Sequence, residues 1–352
     1  MARGRPRGEH EGDGRAGGLA GPEGAVTRVL IPSLALAGGV VLLYFGAEAL
    51  VRGAIRLGQL LRISPIVIGL TVVSIGTSAP EFVVCVLAAL RGSPDLVAGN
   101  ILGSNLANLG LILGLAALVH PLEVRHRVVR REIPWMLLIT LGTLPLLWNL
   151  QVGRLEGAIL ALALFLYLGF LVPAARTQGV EVLGDAAELL NRQIPVRGEV
   201  GAKVLFGPLA LVLGGSLTLV LGGQGIVHGA TVVAVEMGVS ELVVGLSILA
   251  IGTSLPELAT TVVAAARKEA DLAVGNIIGS NIFNLTFVLG GTALIRPLEI
   301  PARIIRVEYP ATLLMSILLL PLALTARRVG RREGAFLLVA YAGAWAWILS
   351  VR

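Results

Sequence analysis

Two glutamates, Glu81 and Glu257, close the same signature, Gly-Thr-Ser-x-Pro-Glu, at Gly76 to Glu81 and at Gly252 to Glu257. A second signature follows each of them: Gly-Asn-Ile-x-Gly-Ser-Asn-x-x-Asn, at Gly99 to Asn108 and at Gly275 to Asn284. Both place carboxylate, hydroxyl and amide oxygens inside otherwise apolar runs. Hard cations such as Ca²⁺ take about 6 to 8 oxygens of these kinds, and two half-sites can supply that number. A charged carboxylate in the middle of a membrane span costs roughly 3 kcal/mol on insertion scales, so it persists beside a cation, a proton or a basic group. Around the signatures the only basic residues are Arg91, Arg267 and Lys268, at the ends of the runs. A cation or a proton is therefore the expected partner. A protonated, hydrogen-bonded Glu is the bland alternative, and its recurrence at a matched position weighs against it.

Thr77, Ser78, Thr253 and Ser254 add hydroxyl and backbone oxygens beside the glutamates. Ser104 and Asn108 are four residues apart, as are Ser280 and Asn284, so each pair shares one helix face. Pro80 and Pro256 remove a backbone donor and obstruct the carbonyls of Gly76 and Gly252. A kink there would free nearby carbonyls, those of Ser74 and Ala250 included, to face a cation. An ordinary proline kink is the competing reading. Asn100, Asn105, Asn276 and Asn281 suit interhelical packing as readily as ligation.

The elements that position these residues come from a duplication. Residues 69–114 align without a gap on 245–290, an offset of 176, and 24 of the 46 positions are identical. The match runs on through Pro121-Leu122-Glu123 with Pro297-Leu298-Glu299, and Gly153-Arg154 recurs as Gly330-Arg331 after a one-residue shift. Ten apolar spans fit, near 29–50, 65–90, 96–118, 133–149, 156–173, 204–234, 241–266, 272–295, 309–325 and 334–350, each of a length that crosses a bilayer or approaches it. The expected fold is an all-α polytopic membrane protein. Its units are a tail at 1–28, a five-helix repeat at 29–173, a linker at 174–203 and a second repeat at 204–352. Five is odd, so the second repeat enters from the opposite side and the repeats are inverted. With both termini outside, the inner loops hold 17 Lys and Arg against 6 outside, with 5 more in the tail. That bias favours both termini outside and the linker in the cytoplasm.

Composition agrees. The 352-residue chain is 55% hydrophobic and 14% charged, where a soluble domain carries about 25% charge. A net charge of +6 raises the question of nucleic acid, but aromatic residues are only 5%, leaving little to stack on bases. One cysteine, Cys85, precludes an intrachain disulfide. The first 25 or so residues are rich in Gly, Arg and Glu and are expected to be disordered, and a short amphipathic helix is expected within 181–192. Asp95 and Asp271 are expected helix N-caps. Glu48 and Arg52, four apart, are expected to pair. Trp135, Trp148, Trp345 and Trp347 fall near span ends, as interfacial anchors do.

The paired motifs resemble the two alpha-repeats of the sodium/calcium exchanger family, within the cation/calcium antiporter superfamily. The resemblance covers essentially all of residues 29 to 350. It implies an integral protein of the cell membrane, functional as a monomer, that exchanges Na⁺ for Ca²⁺ by alternating access. Such a protein is a transporter and no enzyme, it has no cofactor, and its ligands are the transported ions. Position by position, Glu81 and Glu257 would coordinate Ca²⁺. Thr77, Ser78, Thr253 and Ser254 would bind Na⁺ and Ca²⁺, Ser104 and Ser280 would complete the Na⁺ sites, and Asn108 and Asn284 would flank the centre. The carbonyls of Ser74 and Ala250 would serve the outer and inner Na⁺ sites. Some members, the potassium-dependent branch among them, carry Asp where this chain has Asn284, which points to potassium-independent exchange. The linker is too short for the calcium-sensing domains of animal exchangers.

Three rivals stand beside this reading. A proton-coupled antiporter could use the same glutamates, yet the Gly-Asn-x-x-Glu type signature of such relatives is absent. A passive channel lacks a visible pore-loop repeat. An intramembrane enzyme is the third: Gly-x-Ser-x-Gly is absent, and no His lies within the second, third, seventh or eighth spans to activate a serine.

Overall fold

A computed structural model describes residues 22–171, 202–237 and 251–351. Helix α1 spans Pro22–Leu61 and starts at Pro22 instead of near 29. Next come α2, Pro65–Leu90, and α3, Pro94–Val119. They are followed by α4, Ile133–Leu146, and α5, Arg154–Leu171. After the linker come α6, Ala202–Glu236, α7, Leu255–Ala266, and α8, Ala270–Ile295. Helices α9, Tyr309–Ala326, and α10, Arg331–Ser350, complete the described chain. Eight of these segments are long and apolar enough to cross a membrane, while α4 and the described part of the seventh span are shorter. The expected amphipathic helix at 181–192, the start of the seventh span at 241, Ala250 and the tail up to residue 21 lie outside the described residues.

Burial separates inner helices from outer ones. In their most apolar stretches α8 is 94% buried and α3 78%, against 22% for α6 and 17% for α10. The outer helices expose Phe45, Phe165, Phe206, Leu213 and Val339. In a membrane these side chains face lipid, where no hydrophobic penalty attaches to them.

Helices α1 and α6 pack along glycines. A Cβ at Gly46 would stand 2.8 Å from the Leu219 nitrogen and 3.0 Å from the Gly215 carbonyl oxygen. A Cβ at Gly222, its match in the repeat, would stand 2.8 Å from the Leu43 nitrogen and 2.9 Å from the Gly39 oxygen. The two backbones approach this closely because neither carries a side chain at those points.

The duplication is visible in irregular structure too. One wide π turn, Asn108–Ile112, interrupts α3, and Asn284–Val288 interrupts α8 at the same offset. Two more, Val128–Glu132 and Ile304–Glu308, lead into α4 and α9. Such turns inside helices often accompany functional sites. Short strands β1, Leu122–Glu123, β2, Gln151–Val152, β3, Leu298–Glu299, and β4, Arg328–Val329, pair antiparallel as β1 with β4 and β2 with β3. Each pair joins one half of the chain to the other.

Three local expectations change. Pro80 sits inside a continuous helical stretch, Ser74–Leu90, preceded by a π turn at Gly69–Val73. Only the second copy breaks: Thr253 and Ser254 form a turn, and α7 starts at Leu255 with Pro256 in its first turn. Proline is well tolerated there, because a first-turn N–H has no intrahelical acceptor to lose. Asp95 and Asp271 do not cap. They occupy the first turns of α3 and α8, whose cap positions are Ser93 and Glu269, and Asp271 pairs with Arg125 at 2.7 Å. Glu48 does pair with Arg52 at 2.6 Å, and Arg267, from the far end of α7, also bonds it. Of the tryptophans, Trp148 is 81% exposed at the end of α4, whereas Trp135 packs on Tyr167 and Phe170.

Candidate cation site

Glu81 of α2 and Glu257 of α7 are 0% and 1% exposed. Each is tied to the hydroxyl of the opposite half. Ser78 donates to Glu257 Oε1 at 2.9 Å, and Ser254 Oγ lies 3.5 Å from Glu81 Oε1. The second oxygen of each carboxylate has no hydrogen-bond partner although it is buried. No ion pair reaches either Glu among the described residues. Two buried carboxylates with one free oxygen each, and no Arg or Lys to neutralise them, need a cation or protons.

The same exchange between halves orders the next residues outward. Thr77 Oγ1 donates to Asn276 Oδ1 at 3.2 Å, and Thr253 Oγ1 donates to Asn100 Oδ1 at 3.0 Å. These asparagines are therefore part of the site's wall, a role left open by their spacing alone. Their amide nitrogens are held in turn: Asn276 Nδ2 donates to Thr261 Oγ1 at 3.0 Å, and Asn100 Nδ2 to Cys85 Sγ at 3.4 Å. Cys85 and Thr261 are themselves one offset apart. From the sequence neither was assigned to the site, Cys85 counting only against a disulfide, and the offset was the signal that could have found them. They orient the amide so that its oxygen points back to the threonine.

Ser104 Oγ lies 2.9 Å from Ser254 Oγ, which joins α3 to the glutamate pair. Ser280, the match of Ser104, is buried with no partner for its hydroxyl. Asn284 Nδ2 donates to Asn105 Oδ1 at 3.0 Å, leaving Asn284 Oδ1 unpartnered. Asn108 is fully buried, and neither amide atom of its side chain has a partner. The Ser74 carbonyl receives the Thr77 hydroxyl at 3.4 Å, and the Ser74 hydroxyl donates to the Gly69 carbonyl at 2.8 Å. Of the twelve residues expected at the site, Ala250 alone falls outside the described residues.

Six of the eleven unpartnered buried side-chain oxygens among the described residues belong to the motifs, on Glu81, Glu257, Asn108, Ser280, Asn281 and Asn284. Buried polar atoms normally find partners, and a cluster of exceptions marks a place where something else supplies them. Carboxylate, hydroxyl and amide oxygens together suit hard cations and not soft metals. No cluster of three or more His, Cys, Asp or Glu that could hold a resident metal occurs among the described residues.

Known proteins resemble this chain along most of its length. Residues 32–172 and 207–349 match the family described as sodium/calcium exchanger protein. The chain is 42% identical over 290 residues to the inner membrane protein YrbG of Escherichia coli, covering 82% of this chain and 88% of that one. It is 31% identical over 337 residues to the sodium/calcium exchanger MaX1 of Methanosarcina acetivorans, covering 86% and 94%. A solved structure of the sodium-calcium exchanger NCX_Mj superposes with a TM-score of 0.76 at 28% identity, covering 90% of this chain and 98% of that one. MaX1 and NCX_Mj are exchangers by name and not enzymes, and YrbG is named an inner membrane protein. With both halves matched, the chain is an integral membrane protein and belongs to the sodium/calcium exchanger family.

Proposed function

We propose that this protein is a secondary antiporter that moves Ca²⁺ against Na⁺ by alternating access, without a requirement for K⁺. The observation that carries the reading is the glutamate pair. Glu81 and Glu257 each offer one oxygen to a serine of the other half and keep one buried oxygen free. Two carboxylates match the charge of one Ca²⁺ or of two Na⁺. Competition of these ions for the same oxygens couples their opposing fluxes. An ion-loaded site is neutral and can pass through the apolar interior, while an empty one cannot. Thr77, Ser78, Thr253, Ser254, Ser104 and Ser280 supply hydroxyl oxygens in this reading. Asn108 and Asn284 flank the centre, and the Ser74 and Ala250 carbonyls complete the outer and inner sites.

The architecture proposed for this cycle is ten helices in two inverted five-helix repeats, 29–173 and 204–352, with 174–203 as a cytoplasmic linker and both termini outside. The offset of 176 shared by π turns, strands β1 and β3 and site hydrogen bonds supports it. Helices α1 and α6 are the sliding pair, since their glycine-lined contact offers few interlocking side chains. A single chain holds every proposed ligand, so the monomer is the working unit in the cell membrane.

Radiolabelled Ca²⁺ uptake into proteoliposomes tests the function, with an outward Na⁺ gradient compared with an outward proton gradient of equal size. Uptake driven by Na⁺ and lost in both Glu81→Gln and Glu257→Gln is expected. Uptake driven by protons alone would overturn Na⁺ coupling and make the same glutamates proton carriers.

A further inference from the structure

The duplication is not symmetric everywhere. A cavity of about 390 Å³ lies between α3, the turn into α9 and the end of α10. Its wall is mainly apolar, with Leu102, Leu106, Ile304 and Ile348, and it carries three charged residues, Asp95, Arg303 and Glu308. Asp95 belongs to the first turn of α3, and Arg303 and Glu308 precede α9, so all three charges sit at helix starts.

The matching place in the other half is filled. Tyr167 stands where the second repeat has Ala344, Met136 where it has Thr312, and Arg125 where it has Pro301. Tyr167 and Met136 are fully buried there, and Leu272 is 1% exposed where its match Leu96 is 58% exposed. The charges differ as well. Glu132 accepts the Tyr167 hydroxyl at 3.1 Å on Oε2, and its Oε1 lies 3.5 Å from Arg131. Its match Glu308 meets Arg303 at 3.3 Å through Oε1, while Oε2 is buried without a partner. Ala344 and Val307 occupy the positions of the missing donors. Asp271 pairs with Arg125, whereas Asp95 makes no ion pair among the described residues.

An apolar slot that carries two carboxylates, one of them on the exposed Asp95, against one arginine at one end fits an amphiphile with an ammonium group. We propose that the cavity holds an aminophospholipid of the bilayer. Its ammonium faces Asp95 and the Glu308 carboxylate, its phosphate faces Arg303, and an acyl chain runs along the apolar wall. The exposed Leu96 provides the opening toward lipid. Asn100 lines the same cavity and accepts the Thr253 hydroxyl at the cation site, so the lipid would lie one residue from the transport machinery.

The test is native mass spectrometry of the delipidated full chain in detergent, with phosphatidylethanolamine, phosphatidylcholine or phosphatidylglycerol added at equal concentration. Choline has no N–H to donate, so phosphatidylethanolamine is expected to bind about tenfold better, the usual size of one charge-assisted hydrogen bond. Ala344→Tyr, which installs the plug the other half already carries, and Glu308→Gln, which leaves the volume unchanged, are both expected to remove the preference. Glycerophosphoethanolamine, which lacks acyl chains, is expected not to compete. Equal binding of the three lipids, preference for the anionic lipid, full competition by the chain-free head group, or a preference that Glu308→Gln leaves intact would each overturn the proposal. Glu308→Gln carries the test alone if Ala344→Tyr does not fold.

Discussion

Adjacent glycines in α6 provide a sharp test of the glycine contact between α1 and α6. A Cβ at Gly214 would meet nothing within 4 Å. A Cβ at Gly215 would stand 2.6 Å from the Leu50 nitrogen and 2.8 Å from the Gly46 carbonyl oxygen. Backbone atoms cannot rotate away, so α1 must shift as a body. Both substitutions to Ala gain the same helix propensity, about 1 kcal/mol. The difference between them therefore isolates overpacking, about 1 to 3 kcal/mol. Gly214→Ala should melt at or above the wild-type temperature and Gly215→Ala several degrees lower, in one detergent at one protein concentration. On α1 the pair Gly38 and Gly39 repeats the experiment: Gly38 is open, while a Cβ at Gly39 would stand 2.7 Å from the Gly222 oxygen. Transport should follow the same order if this contact is the sliding surface. Equal melting of the Gly214 and Gly215 variants would refute the packing argument, and equal transport rates would separate the contact from the transport cycle.

Other outcomes follow from the same geometry. Asn284→Asp removes the donor to Asn105 Oδ1 at 3.0 Å and sets two acceptors face to face. The variant should recruit a further cation and change its ion selectivity, and unchanged Na⁺, K⁺ and Ca²⁺ dependence of transport would contradict this. Tyr167→Phe leaves Glu132 Oε2 without its hydroxyl donor. A loss of about 1 to 3 kcal/mol is expected, read as a lower melting temperature, while Phe170→Ala tests by comparison the Arg131 stacking at 4.2 Å. Single cysteines placed within 181–193, in a Cys85→Ser background, should resist membrane-impermeant thiol reagent added to intact cells. Labelling from outside would reverse the proposed orientation.

Much of the candidate site could be read from residue order because duplication writes each candidate ligand twice. Glu81 and Glu257, or Ser78 and Ser254, stand out against apolar runs at one offset, and burying such groups costs too much to happen twice by accident. Apolar length likewise announced ten spans, of which eight form helices long and apolar enough to cross a membrane among the described residues, since in a bilayer each helix must satisfy its own backbone groups. Tertiary structure decided the rest. The pairing of Ser78 with Glu257, and of Thr77 with Asn276, is set by how the halves interleave, which no local pattern encodes. Whether Pro80 and Pro256 break their helices also depended on context, and only the second copy breaks. The aspartates of α3 and α8 carry the same sequence signal, yet Asp271 finds Arg125 and Asp95 finds no ion-pair partner among the described residues. Repetition in the chain specifies which residues are equivalent, and packing between the halves determines where equivalence ends.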